Sequence, residues 1–134
     1  MIDITAQVQW FIEERARWSP AQGRKLAETM TRQSGGTMDW DEDAGEGWSR
    51  VLVERRVVAL ICMLGPLVIL VGDDTSEMAT LTKDLPVIAV PSMDAPILTC
   101  DPLTLRAAFG DRTWNNPALN VEQFSAGEFW FCTV

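Results

Sequence analysis

The chain has 134 residues and a net charge of −8, with nineteen acids against eleven bases, 47% apolar and 22% charged side chains. The length suits one domain over 1–134, and the apolar content suits a packed core that needs no metal or disulfide staple. The acidic balance argues against nucleic-acid binding and against docking on an anionic membrane, both of which need a basic face. Histidine is absent, which excludes Ser-His-Asp and Cys-His catalysis within the chain, histidine-bearing zinc sites and a histidine pH switch.

Taken in chain order, Ile4, Val8, Phe11 and Ile12 recur at i, i+4, i+7 and i+8, which predicts an amphipathic helix over 4–17. Ser19, Pro20 and Gln22 form a helix start, with a cap, a first-turn proline and a capping-box partner. A second helix is expected to run to about Gln33, with Gly23, Leu26, Ala27 and Met30 as its apolar stripe and Gly35-Gly36 ending it. The short link between the two suggests an antiparallel helix pair. Residues 37–47 read as a polar loop. Trp48–Glu54 alternates as a half-buried strand does, and Val57–Leu64 and Leu67–Val71 are apolar throughout, as strands covered on both faces are. The second apolar run is interrupted from the first by Gly65-Pro66, and together they fall short of a membrane span.

Leu67–Val71, a short helix after Asp74, and Val87–Val90 form a strand–helix–strand unit long enough for a parallel crossover. Asp101-Pro102 starts another short helix, ended by Gly110, and 110–120 reads as a turn-rich loop. Asn120 to Gln123 repeats the capping-box pattern, so a helix from Asn120 competes with a terminal strand over Glu128–Val134. The resulting expectation is an α+β fold: an N-terminal helix pair packed on a mixed sheet of about five strands, with short helices between later strands.

Cys62, Cys100 and Cys132 are odd in number and lack a CxxC spacing. They read as reduced, buried thiols of a cytoplasmic protein, and no secretory-signal pattern opens the sequence. Cys100 precedes a helix start, which favours thiolate, but it has no histidine base and a negative neighbour in Asp101. Arg50, Arg55 and Arg56 offer phosphate or carboxylate contacts, although strand alternation sends Arg55 and Arg56 to opposite faces. Trp10, Trp18, Trp40, Trp48, Trp114 and Trp130 are rich in contact area, and Phe129-Trp130-Phe131 reads as core.

The densest charge cluster is Asp39, Asp41, Glu42, Asp43 and Glu46, flanked by Trp40 and Trp48. Its alternating aspartates have the start of a calcium-loop spacing. Ala44 stands where that loop turns on glycine, and Arg50 where it needs a bidentate glutamate, so no metal is expected. Carboxylates that steer an encounter, beside tryptophans that supply buried area, suit a basic protein partner. The leading expectation is therefore a non-catalytic, cofactor-free acidic binding domain. An inhibitor or immunity-type protein that occludes a basic surface of a toxin has this profile, with Asp39, Trp40, Asp41, Glu42, Asp43, Glu46 and Trp48 as the contact set. Two alternatives stand beside it. One is a small-ligand or metal-dependent enzyme using Asp73, Asp74, Asp94 and Asp101 in the loops after Val71 and Val90, with Asp111 as a further contributor. The other is an assembly subunit that self-associates through its terminal strand.

Overall fold

The computed structural model describes residues 2–40, 48–62, 65–72, 76–91, 98–109, 113–116, 121–126 and 129–133; residues 39, 40, 48 and 76 and those from 109 onward are described by backbone alone. Strand β1 (Ile2–Asp3) leads into helix α1 (Thr5–Glu14), which ends in a 3-10 turn at Arg15–Arg17 rather than continuing as α-helix. Ile4, Val8 and Phe11 are all buried, as their spacing requires. Helix α2 (Pro20–Ser34) starts where the capping residues place it, with the Ser19 N–H donating to Gln22 Oε1 at 2.8 Å. Gly35 ends it in the left-handed region at φ 68°, a conformation that costs glycine nothing.

Strands β2 (Thr37–Trp40), β3 (Trp48–Val53), β4 (Arg56–Cys62), β5 (Val68–Val71) and β6 (Val87–Val90) form one five-stranded mixed sheet in that order. β2 to β5 pair antiparallel, and β5 pairs parallel with β6 across a crossover holding the short helix α3 (Ser76–Leu81). The fold is α+β, as expected. Residues 37–40 belong to this sheet, not to a loop: Met38 pairs with Val51 and is packed against the core.

Both faces of this sheet are covered. Leu60 and Cys62 of β4, Ile69 and Val71 of β5, and Ile88 and Val90 of β6 pack in one cluster with Ile4 and with Val8 and Phe11 of α1. Ala59, Ile61, Val68 and Leu70, the alternate residues, pack with Ala27 and Met30 of α2. The two N-terminal helices thus lie on opposite faces of the sheet, instead of forming the antiparallel pair that their short link suggests. Two covered faces account for the unbroken apolar run of β5, whose four residues are all buried.

A second five-stranded sheet joins the two ends of the chain. It consists of β1, β7 (Leu98–Cys100), β10 (Phe129–Thr133), β9 (Val121–Ala126) and β8 (Thr113–Asn116), in that order. β1 and β10 both run parallel to β7, while β8, β9 and β10 form an antiparallel meander. Residues 113–116, expected as loop, are strand. The helix considered from Asn120 is also strand, because Val121–Ala126 pairs on both sides. Helix α4 (Pro102–Phe109) follows β7 and packs beside α1, with Leu105 buried in the α1 cluster.

Candidate functional site

The acidic segment connects the two strands of a hairpin at one edge of the helix-flanked sheet. Asp39 and Trp40 end β2, and Trp48 opens β3; the last pairs are Asp39 opposite Arg50 and Trp40 opposite Ser49. Asp41, Glu42, Asp43 and Glu46 lie outside the described residues. The register separates the two tryptophan positions. Position 40 shares a face with Met38 and Val51, on the α2 side, whereas position 48 pairs with Cys62, whose side chain lies on the α1 side.

The arginines divide differently from the expectation. Arg55 lies in the two-residue turn joining β3 and β4, and Arg56 pairs with Val53 in the ladder. Glu54 and Arg55 both take positive φ, 52° and 65°, the geometry of a tight hairpin turn that favours Asn-Gly.

Asp101 acts as a helix cap. Its Oδ2 accepts from the Thr104 N–H at 3.0 Å and from the Thr104 hydroxyl at 2.9 Å. Asp3, one residue before the Ile4 cap position of α1, accepts from the Thr5 N–H at 2.9 Å and the Thr5 hydroxyl at 2.7 Å. The Asp101 N–H donates back to Thr5 Oγ1 at 3.0 Å, tying the two helix starts together. These bonds hold the Asp3 carboxyl below its ordinary range, the Thr5 backbone N–H first and its hydroxyl second. Cys100, beside them, is buried, and its thiol is pushed from 9.0 up to about 11, chiefly by burial, with Asp101 and Asp3 adding to the shift. Burial thus disfavours the thiolate, the reactive form, at neutral pH. Because the folded value is raised, the contribution to stability is complete below 9.0 and is lost as pH rises toward about 11. Slow reaction with iodoacetamide at neutral pH, with weaker resistance to urea as the pH climbs through that window, is the expected outcome.

β5 and β6 end side by side at Val71 and Val90, so the loops that follow leave the same edge. Asp73, Asp74, Asp94 and Asp111 lie outside the described residues. Among the described residues no group of three or more carboxylates and thiols is placed to hold a metal ion.

One feature was not legible in the sequence. A groove of about 430 Å³ lies between α1 and α3, lined by Ala6, Gln7 and Trp10 on one side and Ala79, Thr82 and Lys83 on the other, with Leu85 and Val87 between them. A second hollow, of about 240 Å³, shares Trp10 and Leu85 with it and reaches Trp18 and Asp84. Trp10 is 39% exposed. Gln7 Nε2 donates to the Val87 carbonyl at 3.5 Å, the long limit of a hydrogen bond, while Gln7 Oε1 and Trp18 Nε1 are buried without a hydrogen-bond partner among the described residues. Each such orphan costs about 1–3 kcal/mol. The groove depends on bringing α1 beside a strand about eighty residues downstream, and no local pattern in the chain encodes that.

Comparison of the chain with protein-family models, with curated proteins and with solved structures finds no match.

Proposed function

We propose that this protein is a non-catalytic acidic binding domain of the cytoplasm that occludes a basic surface on a partner protein, in the manner of an inhibitor or immunity-type protein against a toxin. The observation that carries the reading is the concentration of Asp39, Asp41, Glu42, Asp43 and Glu46, without one base between them, in the connection of a hairpin whose β2 is an edge strand. Those five acids are a large part of the chain's net charge of −8. The use of Asp101 as a helix cap and the raised Cys100 thiol both weaken the catalytic alternative. No helix among the described residues is long and apolar enough to cross a membrane.

The test is affinity capture from host extract at about 150 mM salt, where screening has already removed the weakest surface attractions. Wild-type protein and a variant with Asp39→Asn, Asp41→Asn, Glu42→Gln, Asp43→Asn and Glu46→Gln are compared. The reading expects a basic protein retained by the first and released by the second. Retention of the same proteins by both contradicts it.

The parallel ends of β5 and β6 favour a second reading, a ligand or magnesium site in the loops that follow. It expects a melting temperature raised by magnesium or manganese and insensitive to the five hairpin substitutions.

A further inference from the structure

We infer that the groove between α1 and α3 is a binding site for a small organic anion with a flat apolar body, its carboxylate on Lys83 and its body against Trp10.

The two helices rise from opposite faces of the sheet, since α1 packs with Ile88 and Val90 while Met78 and Leu81 of α3 pack with Val68 and Leu70. The groove opens where the facing side chains are small. Ala6 stands one turn before Trp10 on α1, beside the flank that buries Val8 and Phe11, and Ala79 of α3 lines the other wall. Two alanines leave about 430 Å³ between the helices, a volume that suits a small ligand. Trp10 keeps 39% of its surface exposed, and among the described residues it and Leu103 are the exposed large apolar side chains. A flat ligand laid on the indole takes that surface out of water.

The polar lining selects the charge. Gln7 Nε2 donates to the Val87 carbonyl, and its Oε1 is buried. Thr82 is buried too, and its hydroxyl donates to the Met78 carbonyl at 3.1 Å. Lys83 is left: it is exposed, and among the described residues it has no hydrogen bond or ion pair. The local chain places it. The Thr82 N–H donates to the Ala79 carbonyl at 3.2 Å and the Leu85 N–H to the Thr82 carbonyl at 3.0 Å, so Lys83 and Asp84 are the two corner residues of a tight turn. Lys83 lines the groove, whereas Asp84 lines the neighbouring hollow. The one charged group in the groove lining is thus a cation, in a chain of net charge −8. A carboxylate complements it and a cationic ligand is repelled by it. A small monoanion is favoured over a polyanion, which the rest of the chain repels. An exposed ion pair contributes little by itself, so the apolar body supplies most of the affinity and Lys83 the selectivity. This site is separate from the acidic connection at the opposite edge of the sheet, and either can fail without the other.

Titration of the full chain with 2-naphthoate at neutral pH, followed by NMR, tests it. The Trp10 indole N–H and the Ala79 and Lys83 amides are expected to shift, with a dissociation constant of about 1 mM or below. 2-Naphthylmethanol, the uncharged probe with the same ring, is expected to bind about fivefold more weakly, and 2-naphthylmethylammonium more weakly still. Lys83→Gln, at an exposed corner of a turn, is expected to bring 2-naphthoate down to the affinity of the alcohol. Trp10→Ala is expected to weaken both about fivefold or more. Equal affinities of the three probes for the wild type overturn the inference, as does a preference for 2-naphthoate that survives in Lys83→Gln. So do unchanged affinities in Trp10→Ala, shifts confined to residues outside 6–10 and 79–87, and no shift with the probe at about 5 mM.

Discussion

The two edges of the helix-flanked sheet differ in what they present. At β2 the strand leads into a connection crowded with carboxylates, in a hairpin whose outer strand stands at the end of the sheet order. At β6 the strand is recessed between helices from opposite faces, beside an orphaned amide oxygen and a tryptophan rim. Under the proposed function the first edge would attract a partner through a field that salt weakens. Between them β4 and β5, buried on both faces, hold the two edges in one frame.

The most severe way to break the comparison is to damage the frame. Leu60→Ala, at a fully buried position of β4, is expected to lower stability by about 3 kcal/mol in urea titration and to loosen both edges together. Gly36→Ala acts on one edge. A Cβ there runs into the Leu52 carbonyl oxygen where β2 begins. A loss of about 2 kcal/mol is expected, with amide exchange accelerated across β2 and β3 and little changed at Ile88 and Val90. Glu54→Asn with Arg55→Gly gives the turn between β3 and β4 the residues its positive φ angles favour, and should raise stability by about 1 kcal/mol without touching β6. The smallest effect is expected from neutralising the five hairpin acids. Stability should rise by no more than about 0.5 kcal/mol, less at high salt, as relief of self-repulsion alone requires.

The parts of this fold that local chemistry dictates could be read from the chain. Ser19, Pro20 and Gln22 mark the start of α2, and Gly35 its end, because caps and left-handed turns are local events. The apolar runs of β4 and β5 announce a strand buried on both faces, and Val87–Val90 stands where the strand–helix–strand spacing puts it. What the chain concealed depends on distant partners. Asn120 to Gln123 has the look of a helix cap, yet Val121–Ala126 is strand because β8 and β10 both supply ladder bonds to it. A short link says that α1 and α2 are neighbours in sequence but not which face of a sheet each one meets. The acidic cluster was visible as composition. Its place at a sheet edge needed β2, whose Thr37 to Trp40 reads as polar loop until Leu52, Val51, Arg50 and Ser49 are found opposite.

The partner reading stands or falls on the charge of the connection between β2 and β3. The most direct measurement is the salt dependence of the dissociation constant for the captured basic partner, by titration calorimetry, for wild type and for the five-fold neutralised variant. The account predicts that wild-type affinity falls steeply as salt rises, and that the variant binds at least about tenfold more weakly with a shallower slope. Equal affinities and parallel slopes would contradict it.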